Sequence, residues 1–354
     1  MPMQPIAPPL LDWFRRNQRT LPFRQEPSPY HIWVSEIMLQ QTRVSAALPY
    51  YERWMQELPT VADLAACPEE KLHKLWEGLG YYSRVRNLQK AARMVLDEYG
   101  GRLPADYKEL QKLPGIGEYT AGAIASISFG LPAPAVDGNV LRVFSRLYAD
   151  GGNIMDPAVK RTFTRRVMEH QPPEDAGDYN QALMELGALV CLPGGEPLCD
   201  RCPLAAHCQA RSAGTQLQFP VKNKAKPRRI QPVTGLLVEG PEGWLLQQRP
   251  ETGLLAGLWQ PFLTEGELSR EDALALLEPL GLVPEDVTPL PPAKHIFTHI
   301  EWHMQGWKCR CSGGALPAGF VWADAQALEQ VYALPGAFKV WKKLMTPPAR
   351  GRKK

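Results

Sequence analysis

The sequence predicts a multidomain chain: an all-α region followed by a smaller α+β domain. Three observations predict it. From Leu10 to about Cys208 apolar residues recur at helical spacing with short breaks at Pro and Gly, and nothing there alternates like a strand. Between Arg211 and Arg229 the composition turns small and polar, then basic, with no acid between Asp200 and Glu239. Beyond that stretch, runs that read as strands begin. At 354 residues the chain is long enough for two or three domains, each with its own core.

Taken in order, Met1 to Leu10 is Pro-rich and uncharged, without the basic stretch, apolar core and cleavage site of a leader, so a cytoplasmic protein is expected. Leu88 to Tyr99 and Ala158 to His170 repeat every three to four residues and read as helices. The uncharged window Tyr119 to Val136 approaches membrane-spanning length, yet it holds Ser, Thr, Gly and Pro, and reads as a buried helix followed by a loop. No membrane association is expected. In the second half, Val233 to Val238 and Trp244 to Gln248 read as strands around the turn Gly240-Pro241-Glu242-Gly243. A helix from Arg270 to Leu280 and a second β run from Glu301 to Cys311 follow. The expected division is 1–210 helical. A basic linker at 211–231, an α+β domain at 232–346 and a basic tail at 347–354 complete it. No internal repeat is present.

Hydrophobic residues make up 44% and charged residues 22%, which excludes a wholly disordered chain. The net charge of +3 is too small to argue for a nucleic-acid partner by itself. Seven cysteines is an odd number, and four of them crowd into one short segment. That pattern suits metal ligation in a reducing compartment rather than a disulfide framework.

Three motifs carry chemistry. In Leu113-Pro114-Gly115-Ile116-Gly117, flanked by helical runs from Asp106 and from Glu118, two glycines leave backbone N–H groups unblocked at a helix N-terminus. A helix-hairpin-helix able to hold a DNA phosphate is the natural reading. Cys191, Cys199, Cys202 and Cys208 suit either a tetrahedral zinc or a four-iron, four-sulfur cluster, and spacing alone does not choose. The third motif is a pair of acids. Glu36 lies in the helical run Ser35-Glu36-Ile37-Met38-Leu39-Gln40-Gln41-Thr42, and Asp137 in Val136-Asp137-Gly138-Asn139-Val140, where it also suits an N-cap.

Together with Gly78-Leu79-Gly80-Tyr81-Tyr82, these motifs resemble the adenine DNA glycosylase (MutY) family within the endonuclease III superfamily. The match runs from about Leu10 to Trp341. The sequence has one residue more than the family's usual spacing between Cys191 and Cys199, and Gly194 and Gly195 offer a place to absorb it.

The resemblance implies a helix-hairpin-helix glycosylase region, with a six-helix core at about 22–130 and an iron-sulfur part at about 1–21 and 131–210 that holds one 4Fe-4S cluster on Cys191, Cys199, Cys202 and Cys208, followed by a Nudix-like domain. It implies removal of adenine opposite 8-oxoguanine or guanine in duplex DNA. Glu36 is then the acid that protonates adenine, and Asp137 the carboxylate facing the sugar. This division matches the chemistry, because breaking an N-glycosidic bond leaves positive charge on the sugar and negative charge on the base. Tyr119 and Asn139 are implied to line the pocket and position Asp137, while Arg24 and Gln181 face the base. Relatives that cut the strand efficiently carry Lys where Tyr119 stands. A phenol forms no Schiff base, so a mainly monofunctional enzyme is expected.

An adenine must leave the stack before it reacts. Gln40, Gln41, Thr42, Leu79 and Tyr81 resemble the family's stack-inserting and flanking residues, with Gly115 and Gly117 at the hairpin. In the second domain, Gln247 to Pro250 and Thr252 to Trp259 resemble the Nudix-like module, and Phe297-Thr298-His299 the loop that contacts 8-oxoguanine. A magnesium-holding Nudix helix needs a close Glu-Glu pair, which Arg270 to Glu278 lacks, so pyrophosphatase activity is not expected. His295, His299 and His303 recur at helical spacing, but the segment continues as a strand, so no zinc is expected there. A monomer is expected. The rival readings are a catalytically silent damage-binding protein, opposed by Glu36 with Asp137, and a nucleotide hydrolase, opposed by the missing Glu pair.

Overall fold

A computed structural model describes residues 5–223, 227–312 and 314–345. The basic tail at 347–354 and the linker residues Lys224 and Lys226 lie outside the described residues. The chain forms two compact units, one of residues 1–66 and 86–225 and the other of residues 67–85 and 226–354.

The first unit is helical. Its principal helices are α1 (Ala7–Asn17), α2 (Pro29–Leu39), α3 (Val44–Glu57), α4 (Ser83–Tyr99, whose first three residues group with the second unit), α5 (Glu118–Phe129), α6 (Gly138–Leu147), α7 (Pro157–His170) and α8 (Ala176–Leu189). The runs expected at Leu88 to Tyr99 and Ala158 to His170 fall within α4 and α7. The uncharged window resolves into α5 and a non-helical stretch after Gly130, and among the described residues no helix is long and apolar enough to cross a membrane. One core joins α1, α6, α7 and α8 through Leu10, Phe14, Phe144, Phe163, Tyr179 and Leu183.

Several helix starts set the site. Ser28 caps α2 by accepting from the His31 N–H at 3.2 Å, and Pro29 supplies a preset φ at the first position. α2 is buried nearly all round, through Ile32, Trp33, Val34, Ile37 and Met38, so Glu36 is carried inside with its neighbours. Asp106 caps a single turn, Tyr107–Leu110, from which the chain reverses through Gly115 into α5. Gly115 has φ +79°, and a Cβ there would lie 2.8 Å from the Asn87 Cβ, so only glycine fits this turn.

The stretch after Arg211 is partly structured. Arg146 Nε donates to the carbonyls of Gln216 and Phe219, and Val221 forms an isolated parallel bridge with Asn153.

The second unit is built on one seven-stranded mixed sheet: β1 (Arg229–Gly240), β2 (Gly243–Gln248), β3 (Trp259–Glu265), β4 (Pro284–Pro289), β5 (Ala293–Ile296), β6 (Ile300–Cys311) and β7 (Phe320–Ala323). The order is β4-β6-β1-β3-β2-β7, with β5 also on β6. β1 and β6 run parallel from Arg229 opposite Ile300 to Glu239 opposite Arg310. Alternation splits their side chains between two cores. Val233, Leu237, Trp302 and Met304 pack with Trp341 of the Lys339–Met345 helix, whereas Leu236, Val238, Cys309 and Cys311 pack with Ala273.

The helix expected at Arg270 to Leu280 ends at Ala275, and a 3-10 turn follows at Glu278–Leu280. Pro279 lacks the N–H that would continue the helix, and Gly281 at φ +68° reverses the chain. The Glu69–Leu75 helix belongs to this unit: Lys74 Nζ donates to the Leu328 carbonyl at 3.0 Å, and Glu77 accepts from the Leu334 N–H and from Lys342 Nζ.

Candidate active site

The first unit contains a cavity of about 1300 Å³ that gathers Arg24, Glu36, Gln40, Gln41, Thr42, Gly117, Tyr119, Asp137, Asn139 and Gln181 from α2, α5, α6, α8 and the segments between them. Gly115 lies in the turn that leads to Gly117, outside the cavity lining.

Glu36 is 7% exposed. Its carboxyl is pushed up to about 7 by burial first and by the nearby charge of Asp137, while the Tyr119 hydroxyl and the Arg24 guanidinium oppose the rise. The Tyr119 hydroxyl donates to Glu36 Oε2 at 2.5 Å and also lies 3.1 Å from Met184 Sδ. Burial likewise raises Asp137 above the usual carboxylate range, but both of its oxygens accept hydrogen bonds. The Val140 N–H donates to Oδ1 at 2.8 Å, which caps α6, and Asn139 Nδ2 donates to Oδ2 at 2.7 Å. Two donors of this kind favour the ionised form. The cavity therefore holds one carboxyl poised near neutrality and another held as an acceptor.

Asn139 is itself fixed. Arg142 Nη2 donates to Asn139 Oδ1 at 2.8 Å and to the Gly187 carbonyl at 2.7 Å, and Arg142 Nε donates to the Cys191 carbonyl at 2.8 Å. One turn on, Arg146 Nη1 reaches Cys191 Sγ at 3.2 Å and the Leu192 carbonyl at 2.9 Å. The i, i+4 spacing of these arginines on α6 thus ties the Asp137 cap to the cysteine segment.

Sequence reasoning missed Glu185. Its side chain is 1% exposed and accepts from Arg19 Nε and Arg24 Nη2, each at 2.8 Å. Burial alone would raise this carboxyl, but the two guanidiniums hold it at about 2. Arg24 Nε also donates to Gln181 Oε1 at 3.1 Å, so Glu185 and Gln181 orient the Arg24 fork. The partners lie more than 150 residues apart, and no local signal marks Glu185 beyond its place on an apolar face of α8.

Cys191, Cys199, Cys202 and Cys208 line a separate cavity of about 30 Å³, and all seven cysteines are free thiols. Two 3-10 turns, Cys199–Arg201 and Ala205–His207, aim the last three toward the end of α8. Gly194 at φ +62° and Gly195 at φ +120° take the loop between Cys191 and Cys199, in backbone conformations that L side chains resist. A donor set of four cysteines facing one cavity fits an iron-sulfur cluster.

The remaining expected residues lie in the second unit. Leu79 is buried, while Tyr81 is 48% exposed with φ +48°. Phe297, Thr298 and His299 form the turn between β5 and β6, closed by the Phe297 N–H donating to the Ile300 carbonyl at 2.8 Å. Phe297 packs edge-on against Trp302 and His295, which leaves Thr298 and His299 exposed. The Tyr81 and Thr298 hydroxyls lie 3.3 Å apart, so residues more than 200 positions apart share one surface. His295 and His303 lie on paired strands, and His303 Nε2 meets Glu301 at 2.8 Å.

A profile for the HhH-GPD superfamily of base excision DNA repair proteins matches residues 34–169, and a NUDIX domain profile matches residues 233–343. The adenine DNA glycosylase of Rattus norvegicus is 35% identical over 98% of this chain and 79% of its own. The chain belongs to the adenine DNA glycosylase family. It is a DNA glycosylase of base-excision repair, a hydrolase of N-glycosyl bonds. Two solved structures share the helical fold over 58% of this chain. A thermostable thymine-DNA glycosylase is 27% identical with a TM-score of 0.53 over 95% of its length. A trapped covalent complex of endonuclease III with DNA is 29% identical with a TM-score of 0.50 over 93% of its length. The helical region of this chain thus shares the endonuclease III fold, and a Nudix-like domain follows it.

Proposed function

We propose that this glycosylase flips adenine out of duplex DNA where it faces 8-oxoguanine or guanine, and hydrolyses its N-glycosidic bond without cutting the strand. The observation that carries the reading is the pairing, in one cavity, of a carboxyl poised at about 7 with a second that accepts two hydrogen bonds. Glu36 gives its proton to the departing base. Asp137, held by Asn139 and the α6 N-terminus, faces the sugar as positive charge develops there. Tyr119 orients Glu36, and its phenol offers no amine to capture the sugar, which supports a monofunctional enzyme. Arg24, oriented by Glu185 and Gln181, meets the flipped base, with Gln40, Gln41 and Thr42 at the cavity edge.

Leu79 and Tyr81 support the opened stack, while Thr298 and His299 read the opposite base. The adjacency of Tyr81 and Thr298 supports this grouping. In the full-length chain, Thr298→Ala combined with His299→Ala should lower the preference for 8-oxoguanine over guanine by roughly tenfold or more, since one specific base contact is worth about 1 to 3 kcal/mol. The ratio of the two affinities at one salt concentration checks it, and an unchanged ratio removes the loop from base recognition.

The four cysteines hold one 4Fe-4S cluster in this reading, which would brace the segment that Arg142 and Arg146 tie to α6. Anaerobically purified protein should be brown and contain about four irons and four sulfides per chain. A single zinc per chain and no colour would overturn the assignment.

A further inference from the structure

A second groove of the first unit, of about 760 Å³, shares Glu118, Tyr119, Asp137 and Gly138 with the catalytic cavity and extends from them along α7. Its outer wall is cationic. Lys160, Arg161 and Arg165 stand exposed on the first turns of α7, with Arg161 and Arg165 one turn apart on one face.

Lys222 joins them from the far end of the unit's sequence. The Asn153–Val221 bridge brings it there, through the Ile154 N–H donating to the Val221 carbonyl at 3.0 Å and the Asn223 N–H reaching Asn153 Oδ1 at 3.4 Å. Among the described residues Lys160, Arg161 and Lys222 have no ion-pair partner, and Arg165 has only a 3.7 Å contact with Glu169. The groove's acids, Glu118 and Asp137, sit at the shared end, so the cationic end is separate from the carboxylates.

We infer that this groove holds backbone phosphates of the DNA strand that carries the excised base. The inference rests on the glycosylase reading above and extends it. A nucleotide turned out of the stack stays tethered through its own backbone, and its sugar must reach Asp137. The strand therefore continues away from Asp137, and this groove is an open path that begins there. Three cations without acidic partners offer the opposite charge along that path, Arg161 as a planar fork and the lysines as point charges. The opposite strand has no tether at Asp137 and no such reason to enter.

The test uses the full-length chain and a duplex in which 2′-fluoroadenosine replaces the target, because the fluorine destabilises an oxocarbenium and keeps the duplex intact during binding. Fluorescence anisotropy across a salt series compares the parent with the Lys160→Ala, Arg161→Ala, Lys222→Ala triple variant. Each cation lost from a phosphate should lower the log–log salt slope by roughly 0.9, so the triple variant should lose about 2 to 3, and Arg161→Ala alone about 0.9.

Neutral methylphosphonate linkages then identify the strand. Placed beside the target in its own strand, they should weaken binding by the parent and lose that effect in the triple variant. In the opposite strand they should weaken both proteins alike. An unchanged slope, or coupling confined to the opposite strand, would overturn the inference. If the parent releases no adenine from an unmodified duplex, the glycosylase reading fails, while these binding comparisons still judge the groove.

Discussion

Glu36→Gln is expected to slow adenine release by about 100- to 10,000-fold under single-turnover conditions while duplex binding persists, because the amide keeps the shape and removes the proton. Gln still accepts the Tyr119 hydrogen bond, so the pocket wall is retained. In the parent, the rate should fall about tenfold per pH unit above roughly 7, where Glu36 becomes ionised. The variant should lack that limb. The substitution should nevertheless stabilise the fold at high pH. A carboxyl raised from 4.5 to about 7 binds more protons folded than unfolded, so its cost to the fold grows as pH rises through that window and reaches about 3 kcal/mol above it. Gln carries no such cost. The variant should therefore melt higher than the parent at pH 8 and at nearly the same temperature near pH 4. Equal melting at both pH values would show that Glu36 is not held neutral by its surroundings.

Asp137→Asn should cost on the order of 100- to 1,000-fold in the same assay, by removing the one negative charge set to face the sugar. Asn is a good N-cap and keeps an oxygen for the Val140 N–H, so α6 should remain formed. The loss sits at the second oxygen. Asn139 Nδ2 donates there and cannot turn over, because its own carbonyl oxygen is held by Arg142. Two amide nitrogens would then face each other, and a destabilisation of about 1 kcal/mol is expected. Asp137→Asn keeps Glu36 and should therefore keep a fall in rate toward high pH, which distinguishes this variant from Glu36→Gln. A rate within threefold of the parent would remove Asp137 from the chemistry.

Legibility in the sequence followed locality. Glu36, Asp137 and the four cysteines each sit in short motifs that read as a helical run, a cap and a ligand set, and the capping hydrogen bond of Asp137 bears out the cap. Glu185 was silent because its meaning comes from Arg19 and Arg24, brought to it from the other end of the unit. The strands Val233 to Val238 and Trp244 to Gln248 stand out by composition. The parallel pairing of β1 with β6 does not, because register across about 70 residues leaves no local periodicity. The 67–85 segment looks like one more helical stretch of the first half, yet Lys74 and Glu77 find their partners at Leu328, Leu334 and Lys342. At Arg270 to Leu280 the apolar pattern ran on past the point where Pro279 forbids the helix.

The most direct measurement is single-turnover excision on one duplex sequence containing adenine opposite 8-oxoguanine, guanine or thymine, each reaction split and analysed with and without hot alkali. Adenine release opposite 8-oxoguanine and guanine, little release opposite thymine, and strand breaks that appear only after alkali are the expected results. Intact DNA in every alkali-treated lane, or breaks at adenine without alkali, would contradict a monofunctional adenine glycosylase acting through Glu36 and Asp137.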